Sequence, residues 1–466
     1  MRFLNKQSFA IIVLSLLLLL LLINYSVLSL NYGSRNAVDG QSFSVSEASY
    51  IVWKDKTVVY ARNGLTGAID YSGEDAASVI NSAIAKASAN GGGLVFVKSG
   101  NYEIDSSIVL RSYVALEGEG WGEQSAATVL SLKSGLNFDV IATPKEKNFH
   151  VAIRNLRIEG SRIGESDTSD GIHVYASDRA VIENVAVRNC DDKGIHVEGY
   201  GGEVSIQPFI RSVYVYGCGN EGIQVSATDA HVSDVDVGGC GQAALLLYLA
   251  HNSVVTHCSF WGSKHGIKVE QTNNCAITAC RVDYNREDGI FVSASSRNVV
   301  SSCEVYHNSL MAAGRCDGIY LVGTEAYPST DNIVMGNYVG EEKGSLIAYH
   351  RYSINEDDAY CDSNLFAKND VAECMFSEKI RVSGANSKVK ENIGYVTENS
   401  GTASGTSPII VAHELCTSPT CVTISVKGTT PYQTSWSNYN NTYIAIYHNA
   451  GDAVSITVTW HAEYKP

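Results

Sequence analysis

The sequence predicts an all-β fold: a right-handed, single-stranded parallel β-helix with an N-terminal capping helix and a small C-terminal β-sandwich-like domain. Three observations predict it. A short motif recurs mostly every 22 or 23 residues, apolar and polar residues alternate inside that motif, and an amphipathic helix followed by three glycines and a buried strand precedes the repeats. A chain of 466 residues suits a solenoid, which adds length coil by coil within one domain.

The repeated motif is a small residue followed by an aliphatic, a variable and another aliphatic residue. Successive copies are 23, 28, 22, 22, 23 and 29 residues apart, and the two long steps fit the same coil with about six inserted residues. A fixed period near 22 indicates a solenoid, and the two-residue alternation indicates strands rather than helices. A leucine-rich repeat is the rival at this period, but its Leu and Asn pattern is absent from the sequence. The seven copies begin at Gly171, Gly194, Gly222, Ala244, Gly266, Gly289 and Gly318.

Residues that point inward from stacked coils should form columns, because coils repeat at about 4.8 Å, the strand spacing of a sheet. The predicted aliphatic column is Ile172, Ile195, Ile223, Leu245, Ile267, Ile290 and Ile319. Two more columns carry thiols: Val185, Val213, Val235, Cys258, Cys280 and Cys303 in one, and Cys190, Cys218 and Cys240, then Asn285, in the other. These thiols are expected to pack as small apolar groups. Cys416 with Cys421 predicts a local disulfide, and Cys361 with Cys374 is a weaker candidate.

Both ends of the solenoid need caps, since an open end exposes core and strand edges. Residues Glu74 to Asn90 predict an amphipathic capping helix, which the glycines from Gly91 to Gly93 end. The alternating strands beyond Ile409 predict a small β domain. The predicted parts are residues 1–30 as signal peptide or membrane anchor, 31–93 as N-terminal segment and capping helix, 94–399 as β-helix, 400–408 as linker and 409–466 as C-terminal β domain.

The first residues predict export. Arg2 and Lys6 precede an unbroken apolar run from Phe9 to Ile23, which is the arrangement of a secretory signal. Counting on to Leu30 gives a stretch long enough to span a bilayer, so the sequence leaves open a cleaved signal peptide or a membrane anchor. Either alternative places the rest of the chain outside the cytoplasm, extracellular or at the cell surface.

The overall charge excludes some partners. A formal net charge of −15 argues against a nucleic-acid binder, because phosphate binding needs a basic surface. The same charge disfavours a polyanionic substrate unless cations bridge the two or a local basic patch overrides the average. Metal-ligand spacings typical of structural zinc sites are missing from the sequence.

The segment from Asp75 to Tyr102 resembles the entry to the pectate-lyase superfamily of right-handed β-helices. Both have an amphipathic helix, a glycine cluster, a buried strand and then Gly-x-Tyr, although the Pro that usually follows the strand is missing here. Together with the repeats, the resemblance covers roughly residues 60 to 395. It implies the fold rather than one activity, because that superfamily includes lyases, hydrolases, epimerases, phage tailspikes and surface proteins.

Two short segments resemble the acidic motifs of polygalacturonases. The segment from Thr168 to Ile172 is similar to their Asn-Thr-Asp-Gly motif, and the segment from Asn189 to Ile195 is similar to their Gly-Asp-Asp motif. The family's carboxylates act as general acid and as activators of water. The sequence departs from the family where Lys193 replaces the second acid and where Glu221 stands in place of the third motif's histidine. The chain is therefore not identified as a polygalacturonase.

The same segments form one polar edge and face of the predicted helix. With the aliphatic residues inward, His173 should stack on His196, and closely set carboxylates would shift one another's pKa so that one acts as acid and another as base. The candidate catalytic residues are Asp170, Asp191, Asp192 and His196, and the candidate substrate-binding residues are His173, Lys193, Glu198 and Glu221. A polar turn of this kind also occurs on β-helix faces without a function, and Asp-Gly is a common turn pair.

The sequence supports three functions. The first is an enzyme that binds and cleaves or modifies an extracellular polysaccharide, either as a hydrolase with paired carboxylates or as a lyase or epimerase with Lys193, His196 or His173 as base and Ca²⁺ on Asp191, Asp192 and Glu198. The second is a non-catalytic surface adhesin that binds a glycan, for which residues 349–358 are an alternative site. The third is a structural envelope protein. Homo-oligomers are compatible with all three.

Overall fold

Short parallel strands, stacked coil on coil, make up most of the molecule. The computed structural model describes residues 48–122, 127–162, 169–341, 347, 349–374, 379–451 and 453–464. The predicted signal peptide or anchor at residues 1–30 lies outside the described residues, as does Thr168 of the first acidic motif. No helix within these ranges is long and apolar enough to cross a membrane.

One extended sheet, called the long sheet below, runs the length of the solenoid. Most of its strands pair in parallel with the corresponding strand of the next coil, as Phe209, His231 and Val254 do in successive coils. The long sheet comprises Tyr50–Asp55, Val58–Asn63, Ile69–Gly73, Gly93–Val97, Gly100–Ile104, Val114–Gly118, Thr128–Leu132, Ala152–Glu159, Val181–Arg188, Phe209–Arg211, Tyr214–Tyr216, His231–Ser233, Asp236–Gly238, Val254–Thr256, Ser259–Trp261, Ala276–Thr278, Arg281–Asp283, Val299–Ser301, Glu304–Tyr306, Ile333–Met335, Tyr338–Gly340, Leu365–Ala367 and Lys388–Lys390.

A second parallel sheet, called the site sheet below, takes one strand from each coil. Its strands are Ile108–Val109, Ile141–Ala142, Ile172–Tyr175, Ile195–Glu198, Ile223–Val225, Ala243–Tyr248, His265–Glu270, Ile290–Ser293, Ile319–Val322, Ile354–Glu356 and Ile380–Arg381. Short strands at Asn148–Phe149, Ser177–Asp178, Ser205–Ile206, Ala227–Thr228, Ser329–Thr330 and Cys361–Asp362 form two small parallel sheets between the others. In each coil the chain thus contributes a strand to the site sheet, passes through a bend, and contributes strands to the long sheet before the next coil begins, as a parallel β-helix requires.

The predicted aliphatic column is confirmed. Ile172 pairs with Ile195 and Ile195 with Ile223, and this register continues through every coil to Ile319. All seven side chains of the column are fully buried. Burial of such a side chain stabilises the fold by roughly 1.5–3 kcal/mol, so the column is a large part of the driving force for coil stacking.

The glycine that opens each repeat lies where the next coil leaves no room for a side chain. A Cβ on Gly171 would lie 2.4 Å from Val187 Cγ1 and 2.7 Å from the carbonyl oxygen of Gly194. Gly194 and Gly222 meet the same two kinds of neighbour, a valine methyl group and the backbone of the following coil. The motif is therefore a packing requirement of the bend that leads into the site sheet.

Polar columns lie beside the apolar ones, and the sequence identified only Asn285 among them. The backbone N–H of Asn285 donates to Asn308 Oδ1 over 3.2 Å, and the N–H of Asn308 donates to His350 Nε2 over 3.2 Å. Two similar columns run through Asn298, Asn332 and Asn364 and through Asn337, Asn369 and Asn392. These side chains pair with backbone groups that the bends leave without a strand partner.

The predicted capping helix is confirmed at Ala76–Ala89. Asp75 caps its first turn by accepting a 3.0 Å hydrogen bond from the backbone N–H of Ser78. The predicted apolar face, which includes Val79, Ile80 and Ile84, is buried in the same core as the first coils. The helix therefore covers apolar surface that the solenoid would otherwise expose.

The last residues form two antiparallel three-stranded sheets around a separate apolar core. One contains Glu398–Gly405, Ile456–Glu463 and Cys421–Lys427, and the other contains Ile409–Ala412, Tyr443–His448 and Thr434–Asn438. The expected linker at 400–408 is in large part a strand. Its small residues fit there because Trp460 packs against the sheet: a Cβ on Gly401 would lie 3.0 Å from the indole ring.

The disulfide predictions are wrong. All twelve cysteines are free thiols, including Cys416 and Cys421 on the surface and the buried Cys361 and Cys374. The sulfur of Cys416 is hydrogen-bonded with Tyr395 instead. The thiols of the two predicted columns are buried, as expected for small groups that pack in the core.

Candidate functional site

Two histidines stack on the outer face of the site sheet. His173 and His196 are register partners on the neighbouring strands Ile172–Tyr175 and Ile195–Glu198. Their ring centroids lie 4.2 Å apart, which confirms the predicted stacking. Both rings are nonetheless buried, with exposed fractions of 8% and 7%, because acidic and aromatic side chains cover them.

Asp170 joins the two rings from one side. Its Oδ2 atom lies 3.0 Å from His173 Nδ1 and 3.1 Å from His196 Nδ1. Its Oδ1 atom accepts a 2.9 Å hydrogen bond from the backbone N–H of Lys193. The carboxylate is buried and every contact it makes is with a donor, so it orients both imidazoles rather than facing a ligand.

The sequence missed Asp139, which belongs to the same cluster. Its Oδ2 atom lies 3.2 Å from His173 Nδ1, and its Oδ1 atom accepts a 2.8 Å hydrogen bond from the backbone N–H of Asp170. A signal was available, because Asp139 precedes Ile141 by two positions as Asp170 precedes Ile172, and the two isoleucines pair in the sheet. The coil lacks the opening glycine, so the motif did not reveal it.

Glu198 closes the cluster on the solvent side. Its Oε1 atom lies 3.0 Å from His173 Nε2, and its Oε2 atom lies 3.6 Å from His196 Nε2. The Glu198 side chain keeps 34% of its surface exposed. His196 Nε2 is buried without a hydrogen-bond partner. Glu198 is therefore the group of this cluster that an incoming ligand meets, with an unpaired imidazole nitrogen directly behind it.

The cluster holds charge at neutral pH. Burial opposes protonation of His173, but hydrogen bonds to Asp139, Asp170 and Glu198 outweigh it and raise the pKa of His173 to about 10. Burial likewise opposes ionisation of Asp170, yet the two imidazoles hold the pKa of this carboxyl well below its usual range. The hydrogen bond from His173 lowers the pKa of Glu198. His173 is thus an imidazolium among ionised carboxylates.

An aromatic wall with one cation borders the cluster. The Tyr175 ring stacks on His173 with 3.8 Å between centroids, and Tyr200 meets Tyr175 edge-on at 5.7 Å. Lys145 is exposed and places its Nζ 5.1 Å from the centroid of Tyr175. Burial and the neighbouring carboxylates Asp139 and Glu198 raise the pKa of Tyr175, so its phenol stays protonated.

The other candidate residues lie at the turn before these strands. Asp192 accepts hydrogen bonds from Lys193 Nζ over 2.7 Å and from Asn220 Nδ2 over 2.9 Å. The interaction with Asp192 raises the pKa of Lys193 against the effect of burial, and burial raises the pKa of Glu221. Asp191 is buried in the same turn. Asp192 is therefore paired with Lys193, whereas Asp170 is the one of the three predicted aspartates that the structure shows in contact with both histidines.

Asp191, Asp192 and Glu198, the possible calcium ligands, have separate partners in the structure, since Asp192 binds Lys193 whereas Glu198 binds His173. Across the described ranges, Asp170, His173 and His196 are the group whose ligand atoms all lie within 4.8 Å of one another. These ligand types are those of a transition metal rather than of Ca²⁺, but His173 would first have to lose the proton that it shares with the carboxylates.

The alternative site at residues 349–358 is largely part of a coil. Arg351 binds the buried carboxylate of Asp317 through two nitrogens, at 3.0 and 2.6 Å. Asn355 and Glu356 are buried within the strand Ile354–Glu356 of the site sheet. The Asp317 carboxylate needs these donors because it is fully buried, so the segment has a structural role at this point.

Comparisons with known proteins agree with the strand arrangement. Residues 170–339 match the family model described as right handed beta helix region. The chain is 26% identical over 261 residues to mannuronan C5-epimerase AlgE2 of Azotobacter vinelandii, and 26% identical over 255 residues to AlgE5 of the same organism. These alignments cover 51% and 50% of this chain but only 23% and 22% of the two relatives, so the chain spans about a quarter of their length.

Solved structures share the fold at low sequence identity. The A-module of mannuronan C-5 epimerase AlgE6 from Azotobacter vinelandii superposes with a TM-score of 0.56 at 19% identity, over 68% of this chain and 95% of the module. DFA-IIIase from Arthrobacter chlorophenolicus A6 gives a TM-score of 0.52 at 14% identity, over 68% of this chain and 90% of that enzyme. With the parallel register of the coils, these findings identify the chain as a right-handed parallel β-helix protein.

Proposed function

We propose that this chain is a carbohydrate-active enzyme that moves a proton on a uronic-acid polysaccharide at Glu198. The observation that carries the proposal is the arrangement at the exposed end of the histidine pair, where the partly exposed carboxylate of Glu198 lies 3.6 Å from a buried His196 Nε2 that makes no hydrogen bond. The two relatives named mannuronan C5-epimerases support a uronate as the substrate class.

The proposed proton path runs from the sugar to the interior. Glu198 takes the proton from the carbon that bears the uronate carboxyl and passes it to His196 Nε2. The path requires the tautomer in which His196 Nδ1 donates its hydrogen bond to Asp170, so that the lone pair lies on Nε2. A solvent proton delivered to the opposite face of the same carbon gives an epimer, and loss of the glycosidic oxygen from the neighbouring carbon, which takes up a solvent proton, gives an unsaturated product.

The geometry disfavours glycoside hydrolysis at this face. Hydrolysis needs two carboxyl groups roughly 5–10 Å apart with room for a sugar between them. The histidine rings fill the space between Asp170 and Glu198. Glu221 is level with Lys193 in the sheet, five residues from Glu198 along the strand direction, which is roughly 16 Å at 3.3 Å per residue.

Local cations would offset the acidic character of the chain at this site. Exposed Lys145 lies beside Tyr175 and Tyr200, where its ammonium could bind a sugar carboxylate while the rings contact the sugar. Binding a carboxylate to a cation makes the adjacent carbon acid easier to deprotonate, because it stabilises the charge that develops on the carboxyl group.

Replacement of Glu198 tests the proposal. Glu198→Gln keeps the size of the side chain but cannot accept the proton, so turnover of the wild type's polysaccharide substrate should fall at least hundredfold, within the range typical of general acid–base groups. The matched control is Glu270→Gln, since Glu270 has a similar exposure, lies on the same sheet face and pairs with Lys268 over 2.6 Å. Alginate and polygalacturonate would be assayed for epimerised and unsaturated products by NMR and ultraviolet absorbance.

Equal activity of the two variants would contradict the role of Glu198. New reducing ends without an unsaturated or epimerised sugar would contradict the reaction class, because they indicate hydrolysis. A circular dichroism spectrum and melting temperature for each variant would show that the comparison is between folded proteins.

Glycan binding without turnover is the second candidate. It is favoured by the saturated hydrogen bonding around His173, whose two nitrogens contact Asp139, Asp170 and Glu198. Such a closed ion network also occurs for structural reasons. Binding of acidic polysaccharides with no product from any of them would support this candidate over the enzyme.

We further propose that residues 31 onward act outside the cytoplasm, on the basis of Arg2 and Lys6 before the apolar run from Phe9 to Ile23. A signal peptide or an anchor is compatible with a polysaccharide substrate at the cell surface. Recovery of the native protein from the cytoplasmic fraction would contradict this proposal.

A further inference from the structure

Four aromatic side chains form a row on the outer face of the long sheet, which is a different sheet from the one that bears the histidine pair. Trp121 neighbours Tyr214 with ring centroids 6.3 Å apart, Tyr214 neighbours Tyr216 at 6.4 Å, and Tyr216 neighbours Trp261 at 5.8 Å. The angles between successive ring planes are 2°, 15° and 30°, so the four rings are roughly parallel to one another. We call these residues the aromatic row.

Glycines under the row allow two of its rings to lie against the backbone. A Cβ on Gly238 would lie 2.5 to 2.8 Å from three atoms of the Trp261 indole, and a Cβ on Gly239 would lie 2.7 Å from the Tyr216 ring. Near-equal distances to several ring atoms mean that each ring covers its glycine with one face. The opposite faces point away from the sheet, and 41% of the Tyr216 surface is exposed.

Polar groups border the row. Trp261 Nε1 donates a 2.6 Å hydrogen bond to the exposed Asp236, which fixes the indole in place. The Arg188 guanidinium lies 5.2 Å from the centroid of Tyr214. An open depression of about 540 Å³ beside Tyr216 is lined by Arg162, Asn189 and glycine backbone. Flat rings with adjacent hydrogen-bonding groups suit a ligand that has both an apolar face and hydroxyl groups.

We propose that the aromatic row is a second carbohydrate-binding surface, which stacks on the pyranose rings of an acidic polysaccharide. The apolar ring faces fit the CH face of a sugar, and the exposed Arg162 supplies a cation for its carboxylates in a chain whose net charge is −15. This surface goes beyond the proposed function, because binding here requires no reaction at Glu198.

Binding to a panel of immobilised acidic polysaccharides, alginate and polygalacturonate among them, tests the proposal with three variants of the full chain. Trp261→Ala with Tyr216→Ala removes half of the row. Gly238→Val keeps all four rings, but its side chain would occupy the space in which the Trp261 indole lies against Gly238. The control is Trp53→Ala, which removes a tryptophan that stacks on Tyr60 at 5.3 Å in the N-terminal hairpin. Both row variants should raise the Kd at least tenfold, whereas the control should bind as the wild type does.

Three results would overturn the proposal: no binding of the wild type to any member of the panel, unchanged binding of both row variants, or a change of oligomeric state in the row variants. The last of these would identify the row as a contact between copies of the chain. Glu198→Gln separates the two proposals, because it should lose turnover and keep binding. If the row variants lose binding but no protein, including the wild type, shows turnover, the aromatic-row proposal stands and the enzyme proposal is contradicted.

Discussion

At the scale of single residues, the main feature of the site is a set of ionised side chains in a buried position, where burial alone would favour their neutral forms. A buried imidazolium is costly unless it is paired and hydrogen-bonded. His173 meets that condition because both ring nitrogens face carboxylates, with Asp139 and Asp170 on one side and Glu198 on the other. Asp170 contacts Nδ1 of both rings, and His196 Nε2, which makes no hydrogen bond, lies next to Glu198.

The protonated state of His173 predicts a pH-dependent effect on stability. Since its pKa is raised to about 10 in the folded protein against about 6.5 for an ordinary histidine, its contribution is complete below pH 6.5 and is lost as the pH rises through 10. The loss of melting temperature caused by His173→Gln should therefore be largest near pH 6 and shrink towards pH 10. The exposed His231, replaced by Gln, serves as the control. A loss that stays constant over this range would mean that His173 is neutral.

At the scale of elements, the register of the strands that carry the site depends on glycines that are not part of the histidine cluster. The glycine at the start of each site-sheet strand lets one coil lie directly against the next, so that His173 comes level with His196. Ala244 is the exception among the seven repeats. Val237 is the valine that lies against Gly222, and its register partner in the next coil, which begins at Ala244, is Phe260. The repeat that opens with alanine is therefore the one whose facing residue is not β-branched.

Gly222→Ala should destabilise the fold without a change at the histidine pair. Its Cβ would lie 2.2 Å from Val237 Cγ1, and overpacking of this kind costs roughly 1–3 kcal/mol. Urea unfolding monitored by circular dichroism would measure the change. Addition of Val237→Ala should restore part of the stability because it removes the nearest atom. Gly122→Ala, which meets open space, is the matched control. Equal stability of the Gly222 and Gly122 variants would contradict this account of the motif.

At the scale of the whole molecule, the sequence predicted the parts that repeat and missed those that do not. The 22–23-residue steps located the site sheet and the aliphatic column, because a solenoid imposes its periodicity on the chain. The capping helix followed from its own amphipathic pattern between Glu74 and Asn90. Asp139 was missed because its coil lacks the opening glycine. The aromatic row was missed because Trp121 and Trp261 are 140 positions apart and meet only through coil stacking.

The candidate acids show the same limit. Sequence spacing brought Asp170 and Asp192 to the same edge, but it could not tell which partner each would bind. Asp192 pairs with Lys193, and Asp170 turns towards the histidines. Such choices depend on side-chain rotamers and burial, which no periodic pattern encodes. The same holds for Glu198, which the spacing placed beside the pair and the structure places at its exposed end.

The most direct test of the central claim, that Glu198 and the histidine pair move a proton on a uronate, is turnover in D₂O followed by NMR. The account predicts that the wild type and Glu270→Gln remove the proton from the carbon that bears the carboxyl, so that its resonance disappears from the product, either as a deuterated epimer or as an unsaturated sugar. Glu198→Gln should leave that resonance in place. Products that retain this proton, or its undiminished loss in Glu198→Gln, would contradict the claim.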